Sequence, residues 1–157
     1  AGQAYVGRLA TSKSLGDPIL LEQVALVLRE YPFDIIHFNN GMHGWDYTEQ
    51  EYAAAFPSLV STIRAGAPKA KLIWATTTPV REGATTVFAP RNERVKARNQ
   101  LSLAIVMRQG IPVDDLFSVV VDHPEYSASD GVHASPAGIT AEAAQVAASI
   151  QKVLATR

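Results

Sequence analysis

Apolar and polar positions along the chain alternate with two periods, one typical of strands and one typical of helices. Short apolar runs predict strands at residues 35–38, 71–77 and 111–113, and residues 3–6 resemble the end of another strand. Apolar positions at helical spacing predict helices at 19–29, 48–65 and 91–109, a short helix or turn at 116–121, and a last helix from Ser135-Pro136 onward. This alternation of strands and helices is typical of an α/β protein with a parallel sheet.

Capping residues mark the starts of several of these helices. Asp17-Pro18 supplies an N-cap and a first-turn proline, and Thr48 with Glu51 forms a capping box. Asn92 is predicted to cap the helix that begins near it. Pro57 lies inside a predicted helix and is expected to kink it, because proline removes a backbone donor.

The composition narrows the classes of function. With 157 residues, of which 47% are hydrophobic, the chain is expected to form one domain with a sizeable core. The 14 basic and 15 acidic residues give a net charge of −1 without a basic stripe, so neither nucleic acid nor a membrane is expected as a partner. The absence of cysteine excludes disulfides, thiolate metal ligands and a cysteine nucleophile. None of these features assigns a cellular compartment.

A short motif, Asp130-Gly131-Val132-His133, precedes the last predicted helix. A histidine that acts as a general base needs one ring nitrogen free and an acceptor at the other nitrogen to fix its tautomer. A carboxylate three residues earlier in the same loop can provide that acceptor. The motif therefore predicts a catalytic pair of Asp130 and His133, and the structural alternative is a loop aspartate that caps a turn beside an exposed histidine.

Polar side chains also gather after the predicted strand at 35–38. The sequence there reads Asn39-Asn40-Gly41-Met42-His43-Gly44, at the carboxyl end of a parallel strand, where ligands collect in open α/β sheets. Asn40 and His43 are candidates to donate hydrogen bonds to an oxyanion, and the alternative is that they only shape a turn. His37 lies inside the apolar run and is expected to be a paired core histidine.

Together the two motifs resemble those of the SGNH, or GDSL-type, hydrolases, which are serine esterases with a flavodoxin-like three-layer α/β/α fold. Asp130 to His133 matches the family's last block, and residues 41–44 take the place of its third block, Gly-x-Asn-Asp, with His43 in place of asparagine. Gly7 matches the glycine of the second block. The resemblance implies that His133 is the general base, that Asp130 orients it, and that the Gly7 N–H with His43 or Asn40 forms the oxyanion hole.

The family's first block, Gly-Asp-Ser, has no counterpart in residues 1–157, and the similar triplet Gly16-Asp17-Pro18 has proline where the nucleophile belongs. By the resemblance, the chain is a single SGNH-hydrolase-like domain over residues 1–157 without its first strand-helix unit, about 25–35 residues at usual element lengths. We expect the serine to come from a separate N-terminal peptide. One ring nitrogen of His133 is then expected near Asp130, with the other facing the place of that serine.

The resemblance also implies a reaction and a substrate class. We expect hydrolysis of small acyl esters, with acetyl groups on carbohydrate as the favoured substrate, and no metal or other cofactor. Trp45 is a candidate stacking surface for a sugar, and Thr78 is a candidate wall of the acyl pocket. Two alternatives stay open: a non-catalytic carbohydrate- or ester-binding module that has lost its nucleophile, and a zinc site built from His43, His133 and Asp130.

Overall fold

The computed structural model of the protein describes residues 4–156, and helices and strands alternate within that part of the chain. The helices are Pro18–Glu30 (α1), Glu49–Gly66 (α2), Asn92–Arg108 (α3), Leu116–Val120 (α4) and Pro136–Ala155 (α5). The strands are Ile35–Phe38 (β1), Lys71–Ala75 (β2) and Val113–Asp114 (β3), and a short 3-10 helix spans Pro124–Tyr126. The elements agree with the alternation predicted from the sequence.

The three strands form one parallel sheet in the order β1-β2-β3. Because side chains alternate along a strand, Leu72 and Trp74 of β2 point to one face, where they join a hydrophobic core built with α1, α2 and α3. His37 of β1 and Asp114 of β3 lie on the opposite face, where Asp114 meets Gln145 of α5. Helices therefore cover both faces, which confirms the predicted three-layer α/β/α architecture.

The core is concentrated between α2 and β2. Phe56 of α2 is completely buried and packs edge-on against Trp74, with ring centroids 6.3 Å apart. The predicted capping box fixes the start of α2: Thr48 Oγ1 accepts from the Glu51 N–H at 3.2 Å, and Glu51 Oε2 accepts from the Thr48 N–H at 2.8 Å. The helix that carries the core side chains thus begins at a defined residue.

A chain of polar side chains crosses the second face of the sheet. His37 Nε2 lies 2.8 Å from Asp114 Oδ2, and Asp114 Oδ1 accepts a hydrogen bond from Gln145 Nε2 at 2.8 Å. The Asp114 side chain is fully buried, so both of its oxygens need such partners. His37 is therefore a paired histidine of the fold, as the sequence indicated.

The strand predicted at residues 3–6 is not formed in the described part: residues 4–6 are irregular, and Gln3 lies outside the described residues. Tyr5 and Val6 are 74% and 80% exposed, and no strand of the described sheet pairs with this segment. Since a strand is defined by its ladder, an unpaired apolar run stays irregular. The third strand occupies 113–114 rather than 111–113, because Val113 and Asp114 are the residues that pair with the end of β2.

One prediction about a helix end was wrong. Asn92 does not cap α3: it is fully buried as the first helical residue, and its Oδ1 accepts from the Val80 N–H at 3.0 Å. The N-cap is Arg91, without a side-chain capping bond. Pro57 lies inside α2, which is helical on both sides of it, and the kink expected there stays a prediction. Asn92 therefore anchors the preceding loop to α3 instead of capping the helix.

The outer edge of the sheet at β1 borders a groove. All four residues of β1 are half-buried, whereas four of the five residues of β2 are buried. A cavity of about 400 Å³ lies beside β1, between α1 and the segment around residues 7–11. Mostly apolar side chains line it, among them Leu20, Val24, Leu28, Phe33, Ile36 and Phe38.

Among residues 4–156, no helix is both long enough and apolar enough to cross a membrane.

Candidate active site

The loop before α5 holds Asp130 and His133 together. Asp130 Oδ2 lies 2.6 Å from His133 Nδ1, and Asp130 Oδ1 accepts from the backbone N–H groups of Val132 and His133, both at 2.9 Å. With Nδ1–H donating to the carboxylate, Nε2 is left as an acceptor. The His133 side chain is 81% exposed, so this nitrogen is accessible. The predicted pairing of Asp130 with His133 is confirmed as a geometry.

Backbone hydrogen bonds fix the shape of this loop. The Gly131 N–H donates to the Ala128 carbonyl, and the Ala128 N–H donates to the His133 carbonyl. The Gly131 carbonyl accepts from the Arg81 N–H at 2.9 Å, which ties the loop to the segment after β2. Gly131 has φ +70°, and a Cβ there would overlap the Arg81 carbonyl, so only glycine fits. The Asp130–His133 pair therefore rests on a loop that is braced from two sides.

The hydrogen bond to the His133 ring, joined by the backbone N–H groups of His133 and Val132, lowers the pKa of Asp130 from 3.8 to about 2. The carboxylate is therefore ionised at any pH where the histidine can act as a base. Its negative charge stabilises the protonated imidazole that forms when His133 takes up a proton.

We expect the Asp130 carboxyl to titrate with a midpoint of about pH 2, and with a higher midpoint in His133→Ala, because alanine has no side-chain donor for the carboxylate. Since the folded pKa lies below the ordinary value, this carboxylate stabilises the fold above about pH 4 and loses that effect as the pH falls through about 2. Carboxyl-carbon NMR shifts measure both midpoints. Glu125, which is paired with His123 instead, is the internal control. An Asp130 midpoint that is the same in both proteins contradicts this assignment.

Two asparagines organise the carboxyl end of β1. Asn39 Nδ2 donates to the Ala75 carbonyl at 2.7 Å and to Thr77 Oγ1 at 3.0 Å, which fastens β1 to the end of β2. Asn40 Oδ1 accepts from the Leu15 N–H at 3.0 Å, and its Nδ2 donates to the Lys13 carbonyl at 2.9 Å. One N–H of the Asn40 amide thus holds the loop before α1, and its second N–H remains for another acceptor.

The three candidates for the oxyanion hole line one cavity. Gly7, Asn40 and His43 all border the groove beside β1, whereas Asp130 and His133 do not. The His43 side chain is exposed, and Gly7 lies against the ring of Phe33, just before β1 begins. Asn40 and His43 therefore stand at the carboxyl end of β1, and Gly7 lies towards its other end. The roles of Asn40 and His43 in binding an oxyanion remain predictions.

The two candidate substrate contacts lie on the same side of the sheet. Trp45 follows the loop after β1, is half-buried, and has the guanidinium groups of Arg91, Arg94 and Arg98 between 4.7 and 5.6 Å from its ring centroid. Thr78 follows β2, is half-buried, and does not border the cavity beside β1. The Trp45 ring is thus already in contact with arginines, and substrate contact by either residue remains a prediction.

Two arginines with structural roles near the site were not identified from the sequence. Arg81 is buried and donates to the carbonyls of Thr86 and Val121, next to the loop of Asp130. Arg98 is fully buried and donates to backbone carbonyls of the loop after β1. The one sequence signal was the position of Arg98 at helical spacing among residues of the buried face of α3.

The ligands of the alternative zinc site do not assemble. Among residues 4–156, no group of three or more histidine and acidic side chains stands in a geometry that would hold a metal ion. His43 borders the groove beside β1, whereas Asp130 and His133 pair in a different loop. The arrangement of this loop is that of an acid–base pair.

The fold and the Asp130–His133 loop define the class: an α/β protein with a carboxylate–histidine pair in the loop before its last helix. Solved structures that are similar to it share this fold. A GDSL-like lipase from Bacteroides thetaiotaomicron VPI-5482 is 22% identical, with a TM-score of 0.67 over 95% of this chain and 76% of that one. An acetyl esterase mutant solved with acetate ion is 18% identical, with a TM-score of 0.74 over 91% of this chain and 69% of that one. A carbohydrate esterase family 3 protein from Talaromyces cellulolyticus has 18% identity and a TM-score of 0.71, again over 91% and 69%.

The family follows from the sequence match. Residues 3–141 match the GDSL-like lipase/acylhydrolase family, which is most of the chain, so the protein belongs to that family. No curated protein matches the chain closely enough to add a more specific relative. The resemblance inferred from the two motifs is confirmed, and the protein is an acyl ester hydrolase by family.

Proposed function

We propose that the protein is a serine esterase of small acyl esters, with acetyl groups on carbohydrate as the favoured substrate, whose nucleophilic serine lies outside residues 1–157. The observation that carries the proposal is the Asp130–His133 pair, with Nδ1 at 2.6 Å from the carboxylate and Nε2 exposed. In such a pair, this nitrogen accepts the proton of a serine hydroxyl when the serine attacks. The similarity to structures described as an acetyl esterase and a carbohydrate esterase supports the substrate class.

The proposed reaction has two halves. The serine oxygen attacks the ester carbonyl carbon while His133 Nε2 takes the hydroxyl proton, and Asp130 stabilises the resulting imidazolium. The tetrahedral oxyanion accepts hydrogen bonds from Asn40 or His43, whereas Gly7, at the other end of β1, lies too far away to share it. His133 then returns its proton to the leaving alcohol, and water repeats the sequence to release the carboxylic acid and restore the serine.

The groove beside β1 supports a segment from outside residues 1–157. β1 is the outer strand of the described sheet, and its four residues are only half-buried. An outer strand leaves backbone N–H and C=O groups unpaired, and these pair readily with an added strand. Apolar side chains of α1 and β1 line the cavity of about 400 Å³ along this edge. One extended apolar segment fits there, and its carboxyl end would lie near Asn40 and His43.

The exposed face of α5 supports a helix after that strand. Ile139 and Leu154 are 59% and 58% exposed, and the exposed residues Ala143 and Ala147 continue the same helical stripe. A globular domain normally buries an apolar helical face of this kind. A strand-helix unit, with its strand beside β1 and its helix against α5, would cover both surfaces. The nucleophile would then lie on the turn between them.

The test uses the complete protein with a panel of p-nitrophenyl esters, followed by labelling with a fluorophosphonate and mapping of the labelled serine. We expect hydrolysis that falls as the acyl chain lengthens beyond acetate, and a label on a serine outside residues 1–157. Release of acetate from acetylated sugars then tests the carbohydrate part separately.

Each contrary outcome points to a different error. A label on a serine within 1–157 contradicts the outside nucleophile but leaves the esterase activity standing. Binding of acetylated sugar without hydrolysis or labelling would favour the non-catalytic binding module instead. Hydrolysis of simple esters without activity on acetylated sugars contradicts the carbohydrate substrate alone.

A further inference from the structure

One buried guanidinium gathers the backbone of the loop after β1. Arg98 Nη1 donates to the His43 carbonyl at 2.7 Å and to the Gly41 carbonyl at 3.3 Å. Its Nη2 donates to the Gly44 carbonyl at 2.8 Å and to the Tyr47 carbonyl at 3.1 Å. Four carbonyls from seven consecutive residues therefore converge on a single side chain of α3.

These contacts set the direction of the peptide groups in the loop. In a planar trans peptide, the C=O and the following N–H point in opposite directions. Because the carbonyls of His43 and Gly44 point to Arg98, the N–H groups of Gly44 and Trp45 point away from α3. The His43 carbonyl is one of the four, so the backbone that carries the His43 side chain is held by the same contacts.

We call these contacts between Arg98 and the four carbonyls the Arg98 clamp. The guanidinium is fully enclosed, and a glycine permits part of the loop conformation that it holds. Arg98 has no exposed surface, and its Nε lies 3.4 Å from Glu49 Oε1. Burial and the neighbouring charge of Arg94 lower the pKa of Arg98, although a guanidinium stays charged at any physiological pH. Gly44 has φ +72°, and a Cβ there would overlap the side chain of Ser14. Removing the guanidinium would take away the donor of the Gly41 and His43 carbonyls, whereas the Gly44 carbonyl would keep the Tyr47 N–H.

We propose that Arg98 is a positioning residue of the active site: it holds the loop of Asn40 and His43 in the conformation that binds the oxyanion. This proposal rests on the proposed function for its effect on catalysis. Arg98 itself touches no substrate, since it is covered completely by the loop. It acts through the backbone of residues 41–47, because a planar fork with five N–H donors can serve several carbonyls at once.

The test is Arg98→Lys in the complete protein, because lysine keeps the charge but offers a single ammonium with a different geometry. We expect kcat for p-nitrophenyl acetate to fall about 100-fold with little change in KM, since the lost contact acts on the transition state. The pH profile, which reports His133, should keep its midpoint. In parallel, hydrogen exchange of the Tyr47 amide, which donates to the clamped Gly44 carbonyl, should accelerate at least about tenfold.

Arg108→Lys is the matched control: the residue lies on the same helix, is exposed, and should leave kcat and exchange unchanged. Should Arg98→Lys unfold, Glu49→Gln is a milder second variant: it keeps Arg98 in place and weakens the carboxylate contact that Arg98 shares with Arg94. Unchanged exchange at Tyr47 in both variants overturns the clamp. Faster exchange with unchanged kcat overturns the catalytic role. If the wild-type protein hydrolyses no ester, the proposed function fails, and the exchange result still decides whether Arg98 holds the loop.

Discussion

Replacement of His133 by alanine is expected to abolish ester hydrolysis, with kcat/KM falling by about 10⁴-fold or more. The physical reason is the loss of the group that takes the proton from the nucleophile and returns it to the leaving alcohol. The fold should be unaffected, because the ring is 81% exposed and its one side-chain partner is Asp130. Initial rates with p-nitrophenyl acetate, together with the thermal midpoint of unfolding, measure both effects.

The chain contains a matched control for this variant. His123 is also an exposed histidine beside a carboxylate, with Nδ1 2.8 Å from Glu125 Oε1, and its ring stacks on Tyr126. It lies outside the Asp-x-x-His loop, so His123→Ala should retain the wild-type rate. Equal rates for His133→Ala and the wild-type protein would show that the Asp130–His133 pair is not the base of the reaction.

Replacement of Gly131 by alanine is expected to lower the free energy of unfolding by about 3 kcal/mol or more and to reduce activity with it. The backbone there has φ +70°, and the new Cβ would overlap the carbonyl of Arg81. The chain would have to shift at the residue between Asp130 and His133, which disturbs the pair directly. Denaturant unfolding and the rate with p-nitrophenyl acetate give the two readouts.

Gly110→Ala separates backbone strain from overlap. Gly110 has nearly the same backbone conformation, φ +66°, but no atom lies within 4 Å of the Cβ position. We expect it to cost only about 1–2 kcal/mol, the strain of the left-handed backbone, and to leave kcat unchanged. A loss of stability as large as that of Gly131→Ala would mean that the contact with Arg81 contributes nothing.

The sequence predicted those parts of the fold and site that depend on neighbouring residues. The capping box of Thr48 and Glu51 needs a spacing of three residues, and the pair of Asp130 and His133 needs one turn. Both were readable because their geometry follows from local backbone conformation.

The sequence did not predict the contacts between segments that are far apart in the chain. Arg98 was recognisable as a residue on the buried face of α3, but its acceptors lie 51–57 positions earlier in the chain. Asparagine is a residue type that often caps helices. The Asn92 side-chain oxygen instead accepts from the backbone N–H of Val80, twelve residues earlier. In both cases a local preference is overridden by a buried backbone group that needs a partner, and the partner is set by the tertiary fold.

The polar chain of His37, Asp114 and Gln145 has a consequence for how the protein unfolds. β3 has only two residues, and β1 touches it nowhere through backbone pairing, because β2 lies between them. The side chains of His37 and Asp114 nevertheless link these two strands, and Gln145 adds α5. Opening β1 or α5 would remove one of the two partners of the buried Asp114 carboxylate, and opening β3 would separate the carboxylate from both. We therefore expect the two edge strands of the described sheet, β1 and β3, to unfold together with the last helix as one cooperative unit.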